Sequence, residues 1–384
     1  MENSDNKNSS GMLQKLTKRI SLSKFNPLSA LNQKPKFLFG TPPEIIKGNI
    51  EIGHSILSGN FILNGQKKTF SNFSDLNDFD NEYWLSHIYN FNWLKDLRVV
   101  SNVPARDLAR EYIENWINLE KKTSKVSWRA DILGDRLTNW LTHFGFYSNN
   151  APQIFFDQFF LSISRQAKQL NRKAMRSAEG SPRITALKGL IYCGVALPGF
   201  DKYLNKGQQY LETELNQQIF PDGGHYSRNP KVHTDVLFNI IAIRETLITA
   251  HIEVPDWLSD KIDRMLAMLK TFRHSDGGLS YFNGSTFGNN EIINSLLLKS
   301  TGKVRAVSSA PHSGFHKLSA NKTSILMDTG APPKVSANKW GHAGSLSFEM
   351  TSGKDRIIVN CGSTENLTKA WKHALRSTAA HSTI

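Results

Sequence analysis

Cysteine and long apolar runs are the scarcest features of this 384-residue chain. Its two cysteines, Cys193 and Cys361, are far apart, and neither stands in a CxxC motif or beside a cluster of histidines. The sequence therefore indicates neither a disulfide framework nor a cysteine-bound metal cluster. No apolar run reaches the roughly 18 residues that a membrane-spanning helix needs. We accordingly expect no transmembrane segment.

The N-terminus lacks the continuous apolar stretch of a classical secretory signal peptide. Residues 1–35 are polar and basic instead, and such segments bury too little apolar surface to fold. We therefore predict that residues 1–35 form a disordered basic arm.

Acidic residues are fewer than basic ones. The chain has 33 Asp and Glu against 47 Lys and Arg, which gives a formal net charge of +14. A charge of this sign attracts polyanions, which include nucleic acid, anionic lipid and acidic polysaccharide. Zinc-finger, RNP and helix-turn-helix signatures do not occur, so the sequence does not predict specific nucleic-acid binding.

Apolar spacing divides the rest of the chain into three parts. Residues 36–81 form a short β-like lead-in, in which Ile56 and Leu57 precede turn-forming glycines. In residues 82–305 apolar side chains recur every three or four positions, which predicts antiparallel helices with short connections. In residues 306–384 the period falls to two, which predicts antiparallel strands. The predicted fold class is therefore mainly α followed by β.

One motif repeats inside the helical part. The sequence DGG occurs at residues 222–224 and again, 54 positions later, at residues 276–278. Helix pairs that share such a turn are typical of an (α/α) toroid, whose inner turns line a central cleft. The simpler interpretation is that each aspartate caps a turn and the glycines adopt positive φ. The sequence leaves both interpretations open.

The last residues have the character of a strand that enters a sheet. They read AAHSTI at positions 379–384, and the backbone groups of a lone strand need neighbours. We therefore expect the sheet domain to be truncated, with an unpaired edge at Ile384.

Three segments together carry a family resemblance. They are residues 222–230, the strand segment GHAGSLSFE at 341–349, and RSTAAHST at 376–383. As a set they resemble the heparinase II/III family of polysaccharide lyases. The resemblance implies an (α/α) toroid followed by a β-sandwich, β-elimination of an acidic uronic-acid polysaccharide, no required cofactor, and a periplasmic or extracellular location.

A β-elimination site needs groups that offset the uronate carboxylate, a base for the adjacent proton and an acid for the leaving oxygen. By residue type and by the resemblance, Tyr226 and His342 are the first candidates for base and acid, with His225 and His233 beside them. The candidate substrate-binding residues are Arg228, Arg183, Asn171, Arg172, Trp128 and Arg136.

The alignment of the substrate-binding helix stays open. Asn171 and Arg172 match the family's pattern by their spacing from Tyr226, whereas Arg183 matches it by the sequence that follows. Trp128 could stack on a sugar face, and Arg136 could form two hydrogen bonds with a carboxylate.

Two positions depart from the family pattern. The family has a histidine and an aspartate where this chain has Trp340 and Gly344. In zinc-containing members the metal ligands correspond to His342, Asn360 and His381. Because asparagine is a poor zinc ligand, one interpretation is a zinc site in the sheet domain and the other is a hydrogen-bonded histidine pair.

Two other functions are compatible with the sequence. One is a non-catalytic protein that binds acidic glycans or assists cell-surface polysaccharide assembly, because two catalytic positions carry the wrong residue type. The other is a glycoside hydrolase that uses Asp222 and Asp276 as its carboxylate pair. Lysis leaves an unsaturated uronate that absorbs in the near ultraviolet, hydrolysis leaves reducing ends without that chromophore, and a binding protein leaves the polymer intact.

Overall fold

The structure of the chain is a computed structural model that describes residues 35–63, 65–78, 81–120, 124–176, 179–300, 302–331, 341–364 and 367–383. The predicted basic arm lies outside these residues except for Pro35. Trp340 lies outside them as well.

A helix and a hairpin precede the helical domain. Helix α1 is Ile50–Leu57, and an antiparallel hairpin of β1 Asn60–Leu63 and β2 Gln66–Thr69 follows it. The side chain of Asn49 begins α1, because its oxygen accepts hydrogen bonds from two backbone N–H groups of the first turn. The expectation that Ile56 and Leu57 belong to a β-like segment is therefore wrong.

The helical domain consists of successive helices joined by short connections. They are α2 Glu82–Tyr89, α3 Leu94–Val100, α4 Val103–Leu119, α5 Ala130–Thr142, α6 Phe144–Tyr147, α7 Gln153–Lys173, α8 Ser181–Ala196, α9 Asp201–Gln218, α10 Pro230–Thr249, α11 Asp256–Phe272 and α12 Asn290–Leu298. Prolines stand in the first turn of α4, α8 and α10, where the missing N–H costs no intrahelical bond. Within the described residues, no helix combines the length and the apolar character that crossing a bilayer requires.

Burial separates inner from outer helices. Helices α8 and α10 are buried on almost every side, whereas α7, α9 and α11 each bury one face. Helix α8 packs against α5, α9 and α10. This alternation of buried and amphipathic helices is the arrangement of an (α/α) toroid.

The inner helices approach each other at two glycines. An added Cβ on Gly134 of α5 would lie 2.7 Å from the carbonyl oxygen of Thr185 in α8. An added Cβ on Gly189 of α8 would lie 2.5 Å from the Cα of Gly134. A side chain at either position would therefore push the two helices apart.

A buried lysine joins three inner helices. The Lys188 ammonium donates to Asp135 Oδ1 (3.1 Å) and to Asn239 Oδ1 (2.7 Å), so α8 is tied to α5 and to α10. The amide of Asn239 donates in turn to the hydroxyl of Thr185 (3.2 Å). Because an unpaired buried charge is costly, this network fixes how the three helices are rotated against one another.

The sheet domain is an antiparallel meander. Its strands are β3 Ser309–Ala310, β4 Phe315–Ala320, β5 Thr323–Asp328, β6 Phe348–Ser352 and β7 Asp355–Ile358, hydrogen-bonded in that order. Side chains of β6 alternate between buried and partly exposed, as the period of two predicts. A helical toroid followed by an antiparallel sheet confirms the predicted fold class. The described residues after Gly302 contain this single sheet, so the second layer of the expected sandwich is not seen in them.

Residues 379–383 do not form the predicted strand. Helix α13, Lys369–Ala374, comes before them, and Thr378–Ala380 is a 3-10 turn closed by hydrogen bonds to Ser377 and Thr378. Beyond the turn, the Ser382 carbonyl accepts one hydrogen bond from the backbone N–H of Phe348 (3.0 Å). The segment therefore contacts the start of β6 without continuing the sheet.

Candidate functional site

The two DGG turns have the same hydrogen-bond pattern. The Asp222 carboxylate accepts a hydrogen bond from the N–H of Gly224 (3.0 Å). The Asp276 carboxylate accepts the equivalent bond from Gly278 (2.9 Å). In each turn the first glycine has positive φ, and the flanking residues form an isolated antiparallel bridge. The sequence repeat is therefore also a structural repeat, in which the aspartates shape the turns.

Both aspartates also contact the sheet domain. Asp222 accepts hydrogen bonds from the backbone N–H (2.8 Å) and the hydroxyl (3.1 Å) of Ser313. Asp276 forms an ion pair with Arg356, which donates to it from Nε (2.7 Å) and Nη2 (3.2 Å). Because both carboxylates are occupied in this way, the structure argues against the carboxylate pair of a hydrolase.

A buried ion pair joins the first turn to the sheet. The Arg228 guanidinium pairs with Asp328 and donates to the backbone carbonyls of Ser313 (2.9 Å) and Ala331 (2.5 Å). Burial lowers the pKa of Arg228 to about 10, so the group remains charged at neutral pH. Arg228 was expected to bind substrate, but its guanidinium is committed to the sheet domain instead.

A second buried contact starts from the other turn. His274 Nε2 lies 2.6 Å from Glu349 Oε2, and Oε1 of the same carboxylate accepts hydrogen bonds from the N–H of Tyr281 (2.8 Å) and the amide of Asn360 (3.2 Å). We call the residues that join the turns to the sheet the interdomain clasp. They are Asp222, Arg228, His274 and Asp276 in the turns, with Ser313, Asp328, Glu349 and Arg356 in the sheet domain.

Tyr226 lies half-buried in the first turn. Its hydroxyl is beside Gly180, where an added Cβ would approach it to 3.0 Å. Arg183, in the first turn of α8, forms an ion pair with Glu214 (2.6 Å) close to this ring. Burial raises the pKa of the Tyr226 phenol, the carboxylates of Glu179 and Glu214 raise it further, and Arg183 opposes them. The phenol is therefore protonated at neutral pH.

A histidine pair in the sheet domain faces the toroid. His381 Nδ1 is 2.8 Å from the Ser377 carbonyl oxygen, and His342 Nδ1 is 3.1 Å from His381 Nε2. Because a carbonyl only accepts, His381 carries its proton on Nδ1 and accepts at Nε2, and His342 then carries its proton on Nδ1 as well. Nε2 of His342 is thereby left unprotonated. It lies against Gly284 of the toroid, where an added Cβ would approach it to 2.8 Å.

The surroundings of His342 keep its ring neutral. Burial lowers the pKa of His342 to about 4. Nearby His381 and Arg376 lower this pKa further, while the Leu375 carbonyl has the opposite effect. A neutral imidazole with an unprotonated nitrogen can accept a proton. His342 therefore has the protonation state of a general base at neutral pH.

The residues predicted to bind zinc do not fit that metal. The side-chain oxygen of Asn360 accepts from the N–H of Ser382 (3.0 Å), and its NH₂ group donates to Glu349 (3.2 Å). In the part of the chain that the structure describes, no group of three or more His, Cys, Asp or Glu could hold a metal ion. His342 and His381 with an occupied amide fall short of the donors that zinc favours. The two rings form the hydrogen-bonded pair of the other interpretation.

Two predicted catalytic histidines are buried. His225 Nδ1 lies 2.7 Å from the Ser227 hydroxyl and Nε2 lies 3.2 Å from Gln218 Oε1, and burial lowers the His225 pKa to about 3. His233 Nε2 lies 2.9 Å from the Met265 carbonyl oxygen in the core, and burial lowers its pKa to about 4. Neither ring is accessible to a substrate, so the structure contradicts their assignment as catalytic groups.

Arg136 and Trp128 belong to the core of the toroid. Arg136 is fully buried, donates to Gln166 Oε1 (2.8 Å), and stacks over the ring of Trp116 at 4.1 Å. Burial lowers the pKa of Arg136 to about 9. The Trp128 indole donates to the Glu120 carbonyl (3.2 Å) and packs against the same core. Both side chains support the fold, which contradicts their expected contacts with substrate.

The residues of the two alternative alignments lie in different surroundings. Arg183 lies close enough to Tyr226 to influence its pKa. Arg172 is exposed at the end of α7, where it donates to Gln169 (2.9 Å). Asn171 Oδ1 is buried there without a hydrogen-bond partner among the described residues. Arg183 is therefore the better candidate for binding substrate beside Tyr226.

His274 and Glu349 form a buried hydrogen bond between the domains, and neither was among the residues predicted from the sequence. The DGG repeat could have indicated His274, because this histidine occupies the position that the apolar Phe220 has in the other turn. A polar side chain at a position suited to an apolar one needs a buried partner. Glu349 lies within the segment 341–349 that carried the family resemblance.

Two profiles of known families match the chain. The profile described as "Heparinase II/III N-terminus" matches residues 79–304, more than half of the chain, and "Heparinase II/III-like, C-terminal" matches residues 302–384. The chain belongs to the heparinase II/III family. The resemblance noted at residues 222–230, 341–349 and 376–383 is thereby confirmed.

Two curated proteins match parts of the chain. FtsZ-localized protein C of Caulobacter vibrioides is 27% identical over 337 residues, 86% of this chain and 57% of that protein. Heparin-sulfate lyase of Pedobacter heparinus is 24% identical over 169 residues, 40% of this chain and 25% of that protein.

Solved structures of this family share the fold. The crystal structure of heparinase III matches with a TM-score of 0.68 and 14% identity, over 92% of this chain and 65% of that one. A heparan sulfate lyase from Pedobacter heparinus matches with a TM-score of 0.60 and 16% identity, over 92% and 63%. The present chain thus spans less than two thirds of the length of these relatives.

Proposed function

We propose that this heparinase II/III family member is a polysaccharide lyase that cleaves an acidic, uronic-acid polysaccharide by β-elimination. The observation that carries the proposal is the hydrogen-bond chain Ser377–His381–His342, which leaves His342 Nε2 unprotonated beside the toroid. Family membership supports the same reaction class. The net charge of +14 supports an acidic polymer as the substrate.

The reaction needs one proton acceptor and one proton donor. In the proposed mechanism, His342 Nε2 takes the proton from the carbon next to the uronate carboxylate. The electron pair of that C–H bond forms the new C=C bond, while the bond from the neighbouring carbon to the glycosidic oxygen breaks. This oxygen leaves with a proton that the Tyr226 hydroxyl donates. The lowered pKa of His342 and the raised pKa of Tyr226 give both groups these protonation states at neutral pH.

Arg183 is our candidate for offsetting the substrate carboxylate. It lies beside Tyr226 at the beginning of α8, where the N-terminal N–H groups add positive potential. Its ion pair with Glu214 holds the guanidinium in place. A carboxylate bound there would make the adjacent proton more acidic, because the negative charge that develops is stabilised.

The test is the rate at which unsaturated uronate forms from heparan sulfate, chondroitin sulfate, alginate and hyaluronan, followed by near-ultraviolet absorbance. Tyr226→Phe removes only the hydroxyl, so we expect kcat to fall by about 10²-fold or more with little change in affinity. Tyr210→Phe, on the outer helix α9, is the matched control and should leave the rate unchanged. If the native protein yields no unsaturated product from any of the four polymers, the lyase proposal is rejected.

A non-catalytic glycan-binding function is the second candidate. It is favoured by Trp340 and Gly344, which stand where the family pattern has a histidine and an aspartate. It predicts binding of an acidic polymer in affinity electrophoresis without any unsaturated product. In that case, product that forms only after Trp340→His would show that the replaced position had abolished lysis.

A further inference from the structure

Helix α13 and the turn after it carry a stripe of basic side chains. The stripe consists of Lys369, Lys372 and His373 of α13 and Arg376 of the turn, and their spacings of three, one and three residues place them on one side of this segment. All four are exposed, and they line a shallow cavity of about 500 Å³. The helix contains no acidic residue and buries none of its side chains. We call these four residues the α13 stripe.

The stripe adjoins the histidine pair. The carbonyl of Arg376 accepts a hydrogen bond from the N–H of Ala343 (2.9 Å), next to His342. The next residue, Ser377, holds His381 through its carbonyl (2.8 Å). Arg376 is also close enough to lower the pKa of His342. A polymer that extends from His342 in this direction would therefore pass the α13 stripe.

We propose that Lys369 and Lys372 form an anion subsite, which binds a carboxylate or sulfate of the sugar units next to the one at His342. The inference depends on the acidic-glycan ligand of the proposed function, and it holds whether the chain cleaves that ligand or only binds it. At about 1.5 Å of rise per residue, α13 and the turn after it extend about 10 Å from Lys369 to Arg376. This length suits a linear polyanion with repeated charges better than a single small anion.

The chemistry of α13 favours a glycan over a lipid surface. A helix that lies on a membrane needs a broad apolar face, whereas Trp371 and Leu375 are the large apolar side chains of residues 369–376. Trp371 is 59% exposed, and an indole in this state can stack on a sugar ring while the lysines hold the charges.

The experiment measures binding without turnover, in the Tyr226→Phe background of the full chain. Affinities for heparan sulfate and alginate are determined by titration at two salt concentrations. Lys369→Ala with Lys372→Ala should weaken binding of the polymer that the chain prefers by about five- to tenfold, because each exposed charge contributes little alone. It should also reduce the salt dependence of binding. The control is Lys202→Ala with Lys206→Ala on α9, which should change the affinity less than about twofold.

Three results would overturn the subsite. One is an affinity that the α13 double variant leaves unchanged, and another is an equal loss in the control, which would indicate general attraction to a basic protein. The third is a double variant that binds phosphatidylglycerol vesicles more weakly than its parent protein but binds the polymer equally well, which would assign the stripe to a lipid surface. A chain that yields no unsaturated product but loses polymer affinity through the α13 variant supports the subsite and rejects the lyase.

Discussion

The proposed role of His342 as proton acceptor depends on the residues that surround its ring. The Ser377 carbonyl fixes the tautomer of His381, and His381 fixes that of His342. A substitution of His381 therefore leaves His342 in position and alters its protonation. Such a positioning residue is recognised by a change in pH dependence, which general destabilisation would not produce.

The acidic limb of the kcat/KM profile should report the pKa of His342. We expect it near pH 4, because burial lowers the His342 pKa to about 4. In His381→Ala one of the groups that lowers this pKa is removed, so the limb should move toward the ordinary histidine value of about 6.5. Initial rates across the pH range check both expectations. A native limb already at about 6.5 would mean that His342 is not the base.

The DGG turns are one structural element used twice against different neighbours. An added Cβ on Gly224 would lie 2.4 Å from Ser313 Cβ, which is fixed close to its own backbone. An added Cβ on Gly278 would lie 2.4 Å from Arg356 Nη2, the far end of a flexible side chain. The same substitution therefore meets a rigid obstacle in the first turn and a movable one in the second.

This difference predicts unequal effects of two alanines. Gly224→Ala should reduce the free energy of unfolding by about 1–3 kcal/mol, because Ser313 must move with the sheet. Gly278→Ala should reduce it by less than about 1 kcal/mol, since only the terminal Nη2 of Arg356 must shift and its Nε can keep the hydrogen bond to Asp276. Denaturant unfolding of both variants measures the two losses. Equal losses would contradict the rigid contact at Ser313.

Buried neutral histidines make the whole molecule sensitive to acid. The pKa of His225 is lowered to about 3 and that of His233 to about 4, whereas an unfolded histidine titrates near about 6.5. As the pH falls below about 6.5, the unfolded chain binds protons first and is favoured. The stability is therefore complete above that pH and is lost as the pH falls toward the two folded values.

Each of these histidines should cost about 1.4 kcal/mol of stability per pH unit within that window. Denaturation midpoints measured between pH 7 and pH 4 should decline accordingly. His225→Gln removes one titrating ring, so its decline should be shallower than that of the native protein. A midpoint independent of pH across this range would contradict the buried, neutral state of His225 and His233.

The sequence predicted the order of helices and strands because apolar period reflects which face is buried. It did not predict the turn at Thr378–Ala380, which depends on hydrogen bonds to Ser377 and Thr378 that no periodicity encodes. Helix α1 was not predicted either, because it begins at hydrogen bonds to the Asn49 side chain and not at a change in apolar period.

The candidate site was less predictable than the fold. His225 and Tyr226 are neighbours in sequence, yet the first is sealed by Gln218 and Ser227 while the second remains half-buried. Arg136 and Arg183 have the same chemistry, and only the packing of helices shows that the first is in the core. Contacts between segments that are distant in sequence determine which polar side chains face a cleft. Local sequence patterns do not reveal these contacts.

The interdomain clasp also bears on how the chain folds. Its contacts join residues that are 75 to 100 positions apart, and contacts between such distant residues form slowly, because long loops must close first. We therefore expect the helix pairs to form before the sheet docks on them. Arg228→Ala leaves the buried Asp328 carboxylate without its cationic partner, at a cost of about 3–5 kcal/mol. This variant should then unfold faster and refold at nearly the native rate in stopped-flow experiments. The clasp would thus slow unfolding. It would determine how long the folded molecule persists, and it would have little effect on how fast the molecule folds.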